Sequence, residues 1–237
     1  LIALIITFGT NTASAAKLSL LGVTMILLLG IILMGEGAIC IIIAAPLFYL
    51  VALLILKFNE RLHGRFMLVP LLLFSMEGTT GFLSFDRMAT ASATQIVIVS
   101  TDDIRRSLSQ TPVFDQELPT FLQLGFPTPT VTAGEGLEVG NRRHITFTKG
   151  ELLLEIAAVT DNSIHFGFVQ DTTPISQWLT WESALVTWQA LPDGTTEVTW
   201  TLNYQRDLDP AMYFGPLESH GAHLAAEYLL ETVAIPQ

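Results

Sequence analysis

Cysteine and positive charge are both scarce in this chain. Among 237 residues there is one cysteine, Cys40, which rules out an internal disulfide and leaves no cysteine cluster for a metal or a redox pair. Lysine and arginine number 11 against 22 aspartates and glutamates, a formal net charge of −11. So acidic a chain repels phosphate backbones and anionic head groups at long range, which argues against nucleic acid as a partner and against a basic lipid-docking face. A Gly-x-Ser-x-Gly elbow is also missing, and Ser219 and His220 are sequence neighbours that cannot face each other on a helix, so serine-hydrolase chemistry has no support. No internal repeat or low-complexity tract interrupts the carboxy-terminal part.

The charges that exist are unevenly spread. From Leu18 to Leu56 the only charged residue is Glu36. A membrane span needs about 20 mostly apolar residues, and this stretch supplies two, Leu18 to Met34 and Ala38 to Leu56. Between them, Met34-Gly35-Glu36-Gly37 reads as a water-exposed turn. Leu1 to Phe8 reads as the tail of an earlier span, and Phe66 to Ser75 reaches spanning length only by running on to Phe85. Lys17 on one connection and Lys57, Arg61 and Arg65 on another mark the cytoplasmic side, opposite Glu36 and Glu77. The expected organisation is a transmembrane helical region over 1–85 with three to four spans, a linker over 86–94 centred on Ala89 to Thr94, and one domain over 95–237. The protein is then integral to a membrane, read as a bacterial inner membrane, with its domain outside the cytoplasm if the fourth segment crosses. Gly30, Gly35, Gly37, Ala44 and Ala45 offer small surfaces for helix contacts, which leaves a membrane scaffold as one reading.

Residues 86–237 carry seven lysines and arginines against nineteen aspartates and glutamates, and they are patterned as a water-exposed domain. Gln95 to Ser100 reads as a strand, and Ser100-Thr101-Asp102-Asp103 supplies cap chemistry for a short helix after it. Phe114, Leu118, Phe121 and Leu122 recur at helical spacing between Val113 and Leu124, followed by a turn around Pro127 and Pro129. From Glu138 the period becomes two, giving strands over Glu138 to Thr148, Leu152 to Val159, Ile164 to Gln170, Trp181 to Leu191 and Thr195 to Tyr204. Lys149-Gly150, Asp161-Asn162 and Asp193-Gly194 are the hairpin signals. A long helix, Pro216 to Val233, follows, with Leu217, Leu224, Tyr228 and Leu229 on one stripe.

That order defines an α+β helix-grip fold, a curved antiparallel sheet around a long carboxy-terminal helix, preceded here by transmembrane helices. Four segments carry a family resemblance: Phe121 to Pro127, Gly134 to Arg143, Gly194 to Trp200 and Leu208 to Phe214. They resemble the polyketide cyclase/dehydrase and lipid-transport branch of the START/Bet v 1 (SRPBCC) superfamily, over Gln95 to about Val233. The resemblance implies a fold and a hydrophobic cavity for a lipid or other apolar molecule, and no particular reaction.

Strand alternation places Ile145 with Phe147, Phe166 with Phe168, Val186 with Trp188, and Trp200 with Tyr204 on shared faces, so each pair is a candidate lining or a packed core. Tyr213, Phe214, His220 and Leu224 join them as ligand-binding candidates, with His223, His165 and Glu155 as further polar groups within reach. His220 and His223 have helical metal spacing but no third ligand, so neither a metal nor a cofactor is expected. Arg142-Arg143 puts one guanidinium on each face of a strand, one of them solvated and the other set to pair with a carboxylate such as Glu155. The expected partner is a hydrophobic small molecule or lipid, held by a binding module at the bilayer. A cyclase/dehydratase using Tyr204, Tyr213 or His220 is the alternative, although no paired acid and base are visible.

Overall fold

In the computed structural model, residues 20–29, 38–62, 77 and 85–236 are described. Two compact units divide the chain, Leu1–Leu83 and Ser84–Gln237. In the first unit, residues 20–29 are helical and a 25-residue helix runs over Ala38–Leu62. The two are tied by a hydrogen bond of 2.7 Å between the Thr24 and Tyr49 hydroxyls. Leu21, Met25, Phe48 and Leu53 are among the large apolar side chains they leave exposed. Counting only residues whose side chains are described, which in the longer helix are 43–54 and 57, no helix is long and apolar enough to cross a membrane. The expected span tail Leu1 to Phe8, Lys17, the Met34 to Gly37 turn, Arg65 and the segment Phe66 to Ser75 lie outside the described residues.

The second unit is built on one seven-stranded sheet. Its strands are β1 (Met88–Val97), β2 (Pro129–Ala133), β3 (Arg142–Phe147), β4 (Glu151–Val159), β5 (Ser163–Asp171), β6 (Leu179–Ala190) and β7 (Thr196–Arg206). Every pairing is antiparallel, in the order β1-β7-β6-β5-β4-β3-β2. Successive hairpins explain the run from β3 to β7, and the turns fall at the expected dipeptides. Gly194 has φ +85°, and Gly150 has φ +79° with its Cα so close to the next hairpin that a Cβ would meet the Thr172 carbonyl oxygen at 2.4 Å. Register shifts within β4 and β6 bend the sheet, as extra residues on one strand of an antiparallel pair do.

Three helices accompany the sheet: α1 (Thr101–Ser109), α2 (Thr120–Gln123) and α3 (Ala211–Leu229), the last continuing as one π-helical turn over Leu230–Ala234. Ser100 caps α1 through a reciprocal capping box with Asp103, which satisfies two backbone N–H groups that the first turn would otherwise leave open. The long α3 packs against β1 and β7, and its terminal turn meets α1. This is the helix-grip arrangement.

Three expectations need correction. Residues 86–94 are not a linker, because Met88 to Thr94 are the first part of β1, paired from Met88↔Gln205 to Val97↔Thr196. The small residues that look like linker have a structural use: Ala91 and Ala93 are buried where α3 lies close against the strand. The helix expected over Val113 to Leu124 is confined to Thr120–Gln123, and Pro129–Ala133, expected as a turn, pairs as the edge strand β2. Pro112 and Pro119 bracket the irregular part, and proline cannot donate the helical hydrogen bond.

Candidate functional site

The concave face of the sheet is apolar because alternate residues of each strand point to it. At one end it is filled. Ile104 and Leu108 of α1, Ile156, Ile164, Val186, Trp188 and Val198 of the sheet, and Leu230 and Ala234 after α3 form one buried cluster. Beyond these residues, with Leu108, Phe166, Ala184, Trp200 and Leu202 shared between the cluster and the wall, the sheet and α3 separate around a cavity of about 140 Å³. Its wall is made by Ile145 and Phe147 of β3, Leu152 and Leu154 of β4, Phe166 and Phe168 of β5, Trp181 and Ala184 of β6, and Trp200 and Leu202 of β7. Ala225, Tyr228 and Leu229 of α3 face them, and Leu118, Leu122 and Phe126 close a side. Stacked rings stiffen the wall: Phe166 on Trp200 at 6.4 Å and Phe168 on Trp181 at 5.8 Å between centroids.

Of the twelve residues that the sequence nominates, Ile145, Phe147, Phe166, Phe168 and Trp200 are in this wall. The other seven are elsewhere. Val186 and Trp188 share the inward face but sit in the filled end, 0% and 2% exposed. Tyr204 is packed with Ala91, Leu179 and Ala222, where burial raises its phenol pKa against the opposing effect of a Ser219 hydrogen bond. Tyr213 and Phe214 contact each other at the start of α3. His220 is exposed and meets Phe121 edge-on, and Leu224 packs on the Leu118, Leu122 and Tyr228 cluster. Alternation gives a residue's face but not its height along the sheet, and height decides between filled end and cavity.

The remaining polar candidates face away from the cavity as well. His223 is exposed, hydrogen-bonding the Ser92 carbonyl at 2.8 Å and lying 3.3 Å from Glu227. Glu155 is on the outer face, accepting a 3.0 Å hydrogen bond from Arg142, and His165 alternates outward from Ile164 and Phe166. Among the described residues no group of three or more metal-ligating side chains comes together.

Sequence reasoning placed one arginine of the Arg142-Arg143 pair inside without deciding which. Arg143 is the inward one, 5% exposed and part of the cavity wall. Its Nη2 donates to the Gly136 carbonyl at 2.6 Å and to the Leu108 carbonyl at 3.4 Å, while Nη1 is buried without a protein acceptor. Burial pulls the guanidinium pKa below its ordinary value, a pull that Glu135 partly opposes. Three more buried polar atoms without a protein partner belong to residues of the same wall: Asp171 Oδ2, Thr173 Oγ1 and Trp200 Nε1. Buried polar groups are normally paired, so four such groups around one cavity mark it as a place where a ligand can supply partners.

One buried carboxylate lies outside the wall. Glu218 of α3 is 5% exposed, and burial raises its pKa to about 7 against the opposing effects of the Leu208 N–H and Arg206, with Asp207 and Asp209 adding to the rise.

Solved structures offer likenesses of arrangement. Norcoclaurine synthase from Thalictrum flavum is 16% identical, with a TM-score of 0.40 over 61% of this chain and 93% of that one. Ginseng major latex-like protein 151 from Panax ginseng is 16% identical, with a TM-score of 0.36 over 60% of this chain and 98% of that one. A protein from Nitrosospira multiformis is 18% identical, with a TM-score of 0.36 over 60% and 98%. No family model and no curated protein matches the sequence. The fold stands on the strand order and gripping helix described above, and no residue role is taken from these proteins.

Proposed function

We propose that the protein is a membrane-tethered binding module whose helix-grip domain holds a hydrophobic small molecule or lipid between its sheet and α3. The observation that carries this reading is the cavity itself, walled by aromatic and aliphatic side chains with a few buried polar atoms among them, the usual make-up of a ligand site. Binding is favoured over catalysis by where the acid–base candidates lie: Tyr204, Tyr213 and His220 are all outside the wall, and so is Glu218.

Tethering rests on the helix Ala38–Leu62. Its 25 residues extend about 37 Å at 1.5 Å per residue, and the sequence is apolar as far as Leu56 before Lys57, Glu60 and Arg61. Apolar side chains such as Phe48, Leu50, Leu53 and Leu54 are exposed around it, as suits a helix solvated by lipid. A module so anchored would meet apolar molecules where they partition. We place the domain outside the cytoplasm, from the lysines and arginines near the span ends.

The full chain purified from its native membranes should carry a stoichiometric apolar molecule that mass spectrometry identifies. A well-folded protein that never retains one, and that also fails to take up 1-aminoanthracene, would refute the binding reading. For sidedness, an engineered cysteine at Asp193, with Cys40 replaced, should react with an impermeant thiol reagent in intact cells. Labelling only after lysis would place the domain inside.

A further inference from the structure

We infer that the cavity selects an amphipathic acid, its apolar body against the aromatic wall and its carboxylate on Arg143. The inference rests on the binding function proposed above and adds the ligand's head group to it.

An arginine side chain in an apolar wall needs explanation, since removing a charge from water is costly unless something compensates it. Here the compensation from the protein is incomplete. The two carbonyls, of Gly136 and Leu108, take one nitrogen, Nη2. Nη1 has no protein acceptor, although it is buried. The nearest compensating charge is Glu135, which is exposed to solvent and makes no hydrogen bond to the guanidinium among those described. The neighbouring Arg142 shows what a protein-paired arginine looks like on the same strand, with its own carboxylate, Glu155, at 3.0 Å. A ligand oxygen bearing negative charge supplies to Arg143 what Glu155 supplies to Arg142, and charge-assisted hydrogen bonds of this kind are the stronger ones.

Asp171, in the next row of the wall, sets the direction. In the sheet, Arg143 is opposite Leu154, which is opposite Phe168, whereas Asp171 is opposite Leu152, which is opposite Ile145. Arg143 and Asp171 therefore occupy different rows of the concave face, separated by β4. Asp171 has one oxygen on the Thr173 N–H at 2.8 Å and the other without a protein donor. A carboxylate placed there would meet a like charge, and at Arg143 it meets an opposite one. The two rows are neighbours, with Leu152 and Leu154 of β4 between the two residues, and the rest of the wall is hydrocarbon and aromatic ring, so the molecule that satisfies the cavity is apolar along its length and acidic at the Arg143 end.

The test uses the full chain in lipid nanodiscs, with neutral 1-aminoanthracene as the fluorescent reporter and dodecanoic acid and dodecanol as competitors of equal chain length. Dodecanoic acid should displace the reporter at least about tenfold more effectively than dodecanol at pH 8, the factor that one charged hydrogen bond provides. Arg143→Met should bring the two competitors to within about twofold of each other. Equal displacement by acid and alcohol in the unmodified protein, with the reporter bound, would overturn the acid-selecting role and leave the cavity reading intact. Failure of the reporter itself to bind would overturn both. Because the comparison of competitors is made first in the unmodified chain, the outcome does not depend on the variant folding.

Discussion

The Phe166 and Trp200 rings lie 8° from parallel with their centroids 6.4 Å apart, although the strands that carry them, β5 and β7, are separated by β6. The contact is made across the concave face, over Ala184, the β6 residue paired with Phe166. It turns a wide stretch of sheet into a continuous aromatic floor. Trp200→Phe keeps a ring on that floor and removes an indole N–H that has no protein acceptor. The variant should remain within about 1 kcal/mol of the parent in a denaturant titration, because loss of ring area and loss of an unpaired donor oppose each other. It should also lose part of the ligand-induced change in tryptophan emission, leaving the share reported by Trp181 in the same wall, whereas Trp188, in the filled end, reports none.

Filling the cavity should separate binding from stability. Ala184→Leu places its added carbons beside the floor, and the expected result is at least about fivefold weaker binding of 1-aminoanthracene with a stability change under about 1.5 kcal/mol. Val186→Phe, one inward position along β6 but not among the residues that line the cavity, should instead cost about 1–3 kcal/mol as overpacked cores do. Similar losses for both, measured by denaturant midpoint, would mean that the space at Ala184 is not available to a larger side chain.

Glu218 gives the domain a pH dependence of predictable sign. Its folded pKa of about 7 is above the ordinary 4.5, so the folded state holds the proton more tightly than the unfolded one does. The contribution is fully present below about pH 4.5 and is lost as pH rises to about 7, with an upper bound of about 3 kcal/mol. Thermal midpoints should therefore decline over that window in the parent relative to Glu218→Gln, which keeps the shape of the side chain and cannot ionise. Parallel pH curves for the two would contradict the shift.

The capping box of α1 is a local device with a local effect. Ser100→Ala removes the acceptor for the Asp103 N–H and the partner of its carboxylate, and should cost about 1 kcal/mol in a denaturant titration. Asp103 has its pKa held low first by the Ser100 hydroxyl and then by Arg106, so the same substitution should raise the Asp103 titration midpoint seen by NMR.

Much of the sheet could be read from the chain because its strands are consecutive hairpins. Ile164, Phe166 and Phe168 alternate with His165 and Gly167, and Asp193-Gly194 marks a turn by local chemistry alone. β1 as far as Thr94 and the whole of β2 were hidden for opposite reasons. The β1 residues Ala89 to Thr94 are small because α3 packs close, and small residues without pattern resemble a linker; Pro129 in β2 argued against any strand, yet proline is tolerated on an edge. The cavity was legible only in part. Phe147 and Val186 both point inward, but whether α3 and α1 fill the space above each of them is fixed by contacts far away in sequence. Arg143 carried an unused signal: it shares the parity of Ile145 and Phe147, so alternation already turns it inward, and the carbonyls of Leu108 and Gly136 show what holds it there.

The strand that opens the domain, β1, finds its partner last. Met88 is registered with Gln205, so the chain between them must be complete before β1 has a neighbour in the sheet. During synthesis an unpaired edge emerges early and waits for β7, while the hairpins from β3 to β6 can close as they appear. Pairings of such long range are slow steps in folding, and they leave an edge open to the wrong partner until they form. The small, polar composition of β1, with Thr90, Ser92 and Thr94 on its outer face, makes that waiting edge a poor nucleus for aggregation. Carboxy-terminal truncation before Thr196 would therefore remove the partner of the first strand as well as the helix, so the cavity is the last part of the domain that biosynthesis can complete.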